Sequence, residues 1–218
     1  MSTQPLSPEK PSWLSAFLSH CHTKSYDKQI DLIRQGQPAE TLYYLLEGSV
    51  AVLMYDADER RELLLTYLNK GEFIGEMGLF IPQSTRSVIV RTRTPCRVAE
   101  ITYRRLDWLL EHELAEVAKA LLYTIGAQLA LRLQRTSRKL GDLAFVDVSG
   151  RIAGALLDLC EQPDAQPHPQ GKQIRITRQE LGHLVGCSRE MAGRVLKGLE
   201  EQGLVRVRGK TILVYGVR

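Results

Sequence analysis

The 218-residue sequence predicts an α+β fold with three parts: a β-barrel of the jelly-roll type, a long helix, and a winged helix-turn-helix. Three observations predict it. Residues 30–103 hold short β-rich runs between turn signals, residues 112–140 lack proline and have a helical period, and residues 177–203 have the caps and the turn of two adjacent helices.

The β-rich region is predicted from alternation. The runs at 49–55 (SVAVLMY) and 86–92 (RSVIVRT) place apolar residues at alternate positions, as half-buried strands do. Turn signals recur along the region, at Gly36, Gly48, 56–59, Gly71 and 94–96. Many short strands at this spacing favour an antiparallel barrel or a jelly roll.

One stretch of this region is unusual. Residues 71–87 read GEFIGEMGLFIPQSTRS, with three glycines, Glu76 and the pair Arg86 and Ser87. Glycine in a strand region marks a bulge, a tight bend or a close backbone approach. We therefore expect the backbone here to bend around something small and charged.

The helix that follows has two apolar faces. Leu114, Val117 and Leu121 can pack on the β-region. A second set has the 4-3-4-3-4 spacing of a heptad seam: Ala118, Leu122, Ile125, Leu129, Arg132 and Thr136. Two such faces favour a homodimer, in which the seam meets its symmetry mate, over a monomer that buries both faces itself.

The end of this seam is polar. Arg132 and Thr136 stand where leucine would stabilise a coiled coil better, and Ser137 follows directly. Polar residues on a dimer axis are either register devices or ligand contacts. The anion pocket expected at 71–87 favours ligand contacts.

Residues 177–203 predict a helix-turn-helix. Thr177 and Glu180 form a capping box that begins the first helix, and Ser188 caps the second. Gly186 supplies the turn between them, and Gly203 ends the second helix.

The surroundings of this motif complete a winged domain. Small residues at Gly182 and Ala192 allow the helices to approach each other. The expected core consists of Leu181, Val185, Val195 and Leu199. Residues 161–173 read as a proline-broken loop, 173–176 as a short strand, and 204–216 as the two strands of a wing.

The second helix has the residues of a DNA-reading surface. Residues near the N-terminus of this helix meet base edges in the major groove, and here they are Arg189, Glu190 and Arg194. Arginine can bind guanine with two hydrogen bonds, and glutamate can accept one from cytosine. Phosphate contacts are expected from Arg178, Gln179, the Ser188 hydroxyl and Lys210. The predicted partner is double-stranded DNA.

Charge and composition agree with this interpretation. Residues 172–218 hold ten Lys or Arg and four Asp or Glu, although the net charge of the chain is only +4. A basic C-terminal quarter favours a polyanion as partner. No apolar run approaches the roughly 18 residues of a membrane span, and residues 1–11 have no signal-peptide core. We therefore expect a cytoplasmic protein without a membrane partner.

Metal, redox and catalytic functions are disfavoured. Cys21, Cys96, Cys160 and Cys187 lie far apart and form no Cys-x-x-Cys pair, so zinc, iron–sulfur and disulfide frameworks are not expected. The cluster at 20–22 (His-Cys-His) lacks a second set of ligands. No nucleophile–base arrangement is found, so we predict that the protein is not an enzyme.

Several ordered motifs resemble the cyclic-AMP receptor protein (catabolite activator) family within the CRP/FNR group of bacterial transcription regulators. They are HCH (20–22), ETLYYLLEGSVAVL (40–53), GEFIGEMGLF (71–80), DLAFVDVSGRIA (142–153), ITRQELGHLVGCSREMAGRVLK (176–197) and GKT (209–211). The resemblance implies three parts: a cyclic-nucleotide-binding domain at 12–111, a dimerisation helix and hinge at 112–145, and a winged helix-turn-helix DNA-binding domain at 146–218. The hinge is expected near 145–147.

The resemblance also implies the roles of the ligand residues. Residues 71–87 are similar to the family's phosphate-binding cassette, in which Gly75 admits the sugar, Glu76 accepts from the ribose 2′-hydroxyl, and Arg86 with Ser87 holds the cyclic phosphate. Arg132 and Thr136, with Ser137 of the partner subunit, match contacts near the base. The implied function is a cAMP-responsive activator that binds palindromic DNA as a homodimer. Residues 168–171 match a polymerase-contacting patch, so RNA polymerase is a further implied partner.

Two alternatives stay open. The motifs GEMGLFI and TRTPC also look like a subgroup from Xanthomonas-type bacteria in which cyclic di-GMP disfavours DNA binding. Those relatives tend to carry an acidic residue where this chain has Ser87, and an acidic group would repel a cyclic phosphate, so serine favours cAMP. The second alternative is a nucleotide-sensing module that regulates a protein partner without DNA, and the pattern at 177–203 argues against it.

Overall fold

The computed structural model describes residues 11–56, 61–81 and 85–217. Most of the predicted 56–59 turn and of the N-terminal segment 1–11 lies outside these ranges. The described residues form two compact units. One contains the described residues up to 52 together with 66–133, and the other contains 134–217 together with the described part of 53–65.

Within the described residues, the N-terminal part contains eight strands in two four-stranded sheets. The strands are β1 (His22–Tyr26), β2 (Asp31–Ile33), β3 (Thr41–Glu47), β4 (Ser49–Asp56), β5 (Arg61–Asn69), β6 (Phe73–Ile74), β7 (Ile89–Thr92) and β8 (Cys96–Thr102). The strand orders are β1-β8-β3-β6 and β2-β7-β4-β5. The predicted β-rich domain is confirmed, and its first strand begins earlier than the predicted residue 30.

Strand β3 shows how this domain builds its core. Side chains alternate between the two faces of a strand. Leu45 therefore lies in the cluster between the sheets, whereas Leu42 and Tyr44 lie on the opposite face, in a second buried cluster. Three helices contribute to that second cluster: α1 (Ser12–Leu18), α3 (Tyr103–Glu111) and α4 (Ala115–Phe145). A short helix, α2 (Met77–Phe80), follows β6.

Helix α4 is the long helix that the sequence predicts, but its apolar faces are divided differently. Leu121 and Ile125 are fully buried in the second cluster, and Leu129 packs against this cluster. The predicted seam is therefore wrong at Ile125, because its side chain is fully buried against the β-domain, whereas Leu129 is only partly buried there. The exposed stripe has the same heptad spacing shifted in register: Tyr123, Gly126, Ala130, Leu133, Ser137 and Leu140. We call these six residues the free stripe.

The C-terminal part contains three helices and a four-stranded sheet. The helices are α5 (Val148–Cys160), α6 (Arg178–Val185) and α7 (Arg189–Glu201), and the strands are β9 (Gln166–His168), β10 (Gly171–Arg175), β11 (Val205–Arg208) and β12 (Thr211–Tyr215). The strand order is β11-β12-β10-β9. The predicted helix-turn-helix and wing are confirmed.

The predicted loop at 161–173 is wrong in part, because it contains β9. This strand pairs antiparallel with β10, and Pro167 lies opposite Lys172. Proline cannot donate a ladder hydrogen bond, but it is tolerated at the edge of a sheet. Since β9 is the edge strand, its proline does not prevent pairing.

The core of this domain also differs slightly from expectation. Leu181 and Val185 are buried as predicted, and Ala192 and Leu196 are buried with them. Val195 and Leu199 are only half-buried. In the described part of the chain, no helix combines the length and the apolar character needed to cross a lipid bilayer.

Candidate functional site

A buried arginine lies at the centre of the first candidate site. Arg86 is 8% exposed. Its guanidinium donates to the hydroxyl oxygen of Tyr103 at 2.7 Å, to the carbonyl oxygen of Gly75 at 3.5 Å, and to the carbonyl oxygen of Thr41. Within the described residues, all three acceptors are uncharged and Arg86 forms no ion pair. A buried charge is costly without a counter-charge, so this arrangement favours the entry of an anion.

Two glycines make room for this arrangement. Gly75 has a φ of +82°, and a Cβ atom there would lie 2.7 Å from Nη1 of Arg86 and 3.0 Å from the Thr41 carbonyl oxygen. A Cβ atom on Gly78 would lie 2.5 Å from the ring of Tyr103. The glycines of the cassette are therefore required for the positions of Arg86 and Tyr103.

A buried carboxylate lies beside this pocket. Glu76 is 5% exposed and forms an ion pair of 2.5 Å with Nη1 of Arg132, from helix α4. The other terminal nitrogen of Arg132 donates to the Phe73 carbonyl oxygen at 2.5 Å and lies 3.6 Å from Glu72. Arg132 Nε is buried and has no hydrogen-bond partner among the described residues. The ion pair between Glu76 and Arg132 thus joins the cassette to α4, near the C-terminal end of the predicted seam.

The predicted ligand residues fall into two groups. Gly75, Glu76, Arg86 and Arg132 lie together in the first compact unit, and Ser87 is exposed directly after Arg86. Thr136 and Ser137 belong to the second unit, where α4 continues, and both are exposed.

Tyr103 and Thr41 are parts of this site that the sequence did not indicate. The Tyr103 hydroxyl donates to the Gly75 carbonyl oxygen at 2.5 Å and accepts from Arg86. Burial raises the pKa of Tyr103, and the positive charge of Arg86 partly opposes this, so the phenol stays protonated at neutral pH. These contacts join residues that are 17 to 45 positions apart, so no local pattern could have revealed them.

The second candidate site is the helix-turn-helix. The Thr177 hydroxyl accepts from the Glu180 amide, and the Glu180 carboxylate accepts from the Thr177 amide at 2.7 Å. This reciprocal capping box begins α6. Gly186 ends the helix in the left-handed conformation, with a φ of +69°.

The two helices approach closely at one glycine. A Cβ atom on Gly182 would lie 2.6 Å from the Cys187 carbonyl oxygen. Ser188 follows and caps α7 by accepting from the Met191 amide at 3.1 Å. Because the Ser188 hydroxyl acts only as an acceptor in this cap, its proton stays available for a phosphate oxygen. Helix α7 ends at Glu201, and Gly203 follows the C-cap in the left-handed conformation with a φ of +73°, as predicted.

The predicted DNA contacts are all exposed on this domain. They are Arg178, Gln179, Ser188, Arg189, Glu190, Arg194 and Lys210. Arg189 and Glu190 occupy the first two positions of α7, and Lys210 lies in the turn between β11 and β12. The wing is fixed to α7 because the Glu200 carboxylate accepts from the Val207 amide at 2.9 Å.

The histidine cluster at 20–22 has an ordinary role. His20 pairs with Glu113 at 3.5 Å, and His22 is exposed at the start of β1. Across the ranges that the structure describes, no group of three or more His, Cys, Asp or Glu side chains is arranged to hold a metal ion.

Two family descriptions match the chain. Residues 23–113 match a cyclic nucleotide-binding domain, and residues 150–215 match a Crp-like helix-turn-helix domain. Together the matches cover most of the sequence. The first includes Gly75, Glu76 and Arg86, and the second includes the helix-turn-helix.

Named relatives match nearly the whole chain. This chain is 54% identical over 211 residues to the cAMP-activated global transcriptional regulator CRP of Escherichia coli O157:H7. The match covers 97% of this chain and 98% of the relative. The chain is 52% identical over 208 residues to the cAMP-activated global transcriptional regulator Vfr of Pseudomonas aeruginosa, covering 94% of both chains.

A solved structure is also close. The c-di-GMP responsive global regulator CLP of Xanthomonas campestris shares 52% sequence identity with this chain and has a TM-score of 0.88. The match covers 94% of this chain and 99% of that chain. The relatives are transcription regulators and not enzymes. With both of its domains matched and about half of its residues identical to theirs, this chain belongs to the CRP family of cyclic-nucleotide-binding, DNA-binding transcription regulators.

Proposed function

We propose that this protein is a cAMP-responsive transcription regulator that binds palindromic DNA as a homodimer. The observation that carries the proposal is the buried Arg86, whose guanidinium has only uncharged acceptors among the described residues. A cyclic phosphate carries one negative charge, and a hydrogen bond to a charged group contributes about 1.5–3 kcal/mol. Arg86 and the Ser87 hydroxyl would hold this phosphate.

The buried Glu76 would bind the sugar. A carboxylate is an acceptor only, which suits the donating 2′-hydroxyl of a ribose. Glu76 is paired with Arg132, so a ribose at Glu76 would compete with this ion pair or share it. Arg132 and Thr136 of one subunit, with Ser137 of the partner subunit, would then lie near the base.

The proposed dimer uses the free stripe of α4. Tyr123 and Leu133 on this stripe are 72% and 68% exposed, and a second copy of the helix would bury them through the heptad spacing. The polar Ser137 lies on the same stripe, which supports its proposed position across the dimer axis.

The proposed control is a population shift. Nucleotide would favour the dimer state in which two α7 helices lie one DNA turn apart, about 34 Å. A ligand can shift the equilibrium only by its difference in affinity for the two states. Helix α4 ends at Phe145, and Asp147 caps α5 by accepting from the Gly150 amide at 2.8 Å. The proposed hinge is the short connection between these helices.

On the DNA, Arg189, Glu190 and Arg194 would read bases. The phosphate contacts would come from Arg178, Gln179, Ser188 and Lys210. RNA polymerase is the proposed protein partner, through residues 168–171, which include the end of the exposed edge strand β9. The proposed location is the cytoplasm, where a bacterial regulator meets DNA and polymerase.

Cyclic di-GMP is the second candidate effector, because the CLP structure shares 52% sequence identity with this chain and belongs to a c-di-GMP responsive regulator. Under this alternative the nucleotide would weaken DNA binding instead of strengthening it. Ser87 favours cAMP, since it adds no negative charge beside the proposed phosphate position.

One paired experiment tests the proposal. Calorimetric titrations of the purified protein with cAMP and with cyclic di-GMP would be run in parallel, followed by DNA-binding isotherms on a palindromic site with and without each nucleotide. We expect cAMP to bind and to tighten DNA binding. Binding of cyclic di-GMP alone, with weaker DNA binding, would replace cAMP by the second candidate, and DNA binding that ignores both nucleotides would overturn the proposed control.

A further inference from the structure

A second polar contact joins α4 to the cassette, and it comes from Gln128. The side-chain oxygen of Gln128 accepts from the Phe73 amide at 2.9 Å, and its side-chain nitrogen donates to the Gly71 carbonyl oxygen, also at 2.9 Å. One amide group thus satisfies two backbone groups of the same segment. Gln128 does not belong to the ligand residues proposed above.

Gln128 makes the kind of hydrogen bonds to the edge of β6 that a neighbouring strand would make. Strand β6 is the edge strand of its sheet, and its inner edge pairs with β3. An edge strand leaves a row of unpaired N–H and C=O groups. Gln128 binds the Gly71 carbonyl and the Phe73 amide on the outer edge, and Arg132 donates to the Phe73 carbonyl oxygen at 2.5 Å. Because residues i and i+4 lie on one face of a helix, a single turn of α4 completes the edge of β6.

The two side chains differ in what they bind besides backbone. Arg132 also pairs with Glu76, which is a proposed ligand residue, so nucleotide binding would change its contacts. Both hydrogen bonds of Gln128 go to main-chain atoms. A change in the pairing of Glu76 therefore does not remove the partners of Gln128. Gln128 would therefore hold the cassette and α4 together while the pairing of Arg132 changes.

We propose that Gln128 is a positioning residue that couples the cassette to α4. It fixes the backbone at 71–73 to the helix. When the proposed ligand residues rearrange, α4 then moves together with the cassette, because the helix and the strand cannot slide past each other. This inference rests on the proposed function, and it assigns to Gln128 a role in coupling and not in ligand contact.

The test compares Gln128→Met and Gln128→Asn with the wild-type protein. Methionine keeps the length of the side chain without either hydrogen bond, and asparagine is too short to reach both backbone groups. Gln134→Met is the matched control, because Gln134 is an exposed glutamine of the same helix. The measured quantity is the ratio of DNA dissociation constants without and with saturating cAMP, or cyclic di-GMP if the wild-type protein responds to that nucleotide. Calorimetric nucleotide affinity and thermal unfolding are measured in parallel.

We expect both Gln128 variants to lower this ratio by about tenfold, because two hydrogen bonds of the coupling element are lost. Nucleotide affinity should change less than the ratio, and Gln134→Met should change neither. A ratio that stays within twofold of wild type would overturn the proposal, even if the melting temperature falls, since Gln128 would then contribute to stability alone.

A second measurement does not depend on the ligand. In the nucleotide-free protein, the Phe73 amide should be protected from hydrogen exchange although it lies on a sheet edge, and Gln128→Met should remove this protection. Fast exchange at Phe73 in the wild-type protein would overturn the inference. A wild-type protein with a protected Phe73 and no nucleotide response would instead contradict the proposed function.

Discussion

The hydroxyl group of Tyr103 lies between Arg86 and the backbone of Gly75, 2.7 Å from the guanidinium and 2.5 Å from the carbonyl oxygen. It accepts from the first group and donates to the second, so one phenol orients both. Arg86 is thereby held in place by neutral neighbours.

Replacing Arg86 by leucine should abolish nucleotide binding. An arginine that makes two charge-assisted hydrogen bonds to a phosphate contributes roughly 3–6 kcal/mol, or a factor of about 10² to 10⁴ in affinity. The protein should stay folded. Calorimetry with cAMP checks the affinity, and Arg104→Leu, at an exposed arginine of α3, is the control. Undiminished affinity in Arg86→Leu would mean that the pocket is assigned wrongly.

Gly75→Ala should reduce nucleotide affinity by displacing Arg86, because the new Cβ atom would lie 2.7 Å from Nη1. Its control is Gly36→Ala, since Gly36 has a similar φ of +84° and a Cβ atom there would meet no heavy atom within 4 Å among the described residues beyond its chain neighbours. Both variants should lose about 1 kcal/mol of stability from the left-handed backbone. Only Gly75→Ala should lose affinity, and equal affinities in the two variants would contradict this explanation.

The free energy of unfolding should fall as the pH rises above the ordinary tyrosine pKa of 10.0. Burial raises the pKa of Tyr26, Tyr43, Tyr44 and Tyr103. The folded state then binds more protons than the unfolded state in this window, so alkali favours unfolding.

Tyr103→Phe should make this decline shallower, because one of the four phenols with a raised pKa is removed. Urea unfolding between about pH 8 and pH 11 measures the slope. Tyr55→Phe, at an exposed tyrosine of β4 that lies outside the free stripe, is the control and should leave the slope unchanged. Equal slopes in Tyr103→Phe and the wild-type protein would show that the Tyr103 phenol does not contribute.

Gly182→Ala should destabilise the helix-turn-helix by about 1–3 kcal/mol, because the added Cβ atom would overlap the Cys187 carbonyl oxygen. Gly198→Ala in α7 should instead stabilise the protein by about 0.5–1 kcal/mol, since the site is open and alanine is the better helix former. Urea unfolding at neutral pH measures both changes. Two variants of equal stability would contradict the close approach at Gly182.

Arg189→Ala and Lys210→Ala should weaken DNA binding in different ways. Loss of a base contact should cost about 1–3 kcal/mol and relax specificity at one guanine. Loss of a phosphate contact should weaken all sequences about equally and reduce the salt slope by about one. Binding to a set of single-base operator variants at several salt concentrations separates the two. The reverse pattern would exchange the assigned roles.

The features that the sequence predicted best are set by residues close together in the chain. The capping box of Thr177 and Glu180, the left-handed Gly186 and the Ser188 cap depend on neighbours within three positions. Gly75, with its φ of +82°, also pointed correctly to a bent backbone, whereas Gly78 lies within helix α2. Their actual neighbours, Arg86 and Tyr103, could not be deduced from spacing, because the sheet topology brings them together.

The faces of α4 were harder to predict for a related reason. The predicted seam contains Leu122 and the free stripe contains Tyr123, so the two differ in register by one position. The sequence has a heptad spacing in both registers. Only the packing of Ile125 on the β-domain decides which stripe remains exposed. Gln128 gave no signal at all, because a glutamine on a helix is ordinary until its two main-chain partners are known.

The contact between position 78 and the Tyr103 ring implies that these two sites cannot evolve independently. A Cβ atom at 78 would lie 2.5 Å from the aromatic ring, so a larger residue there requires a smaller one, or a different backbone path, at 103. Among homologues, a glycine at position 78 should therefore accompany an aromatic residue at position 103, and a larger residue at 78 should accompany a smaller one at 103.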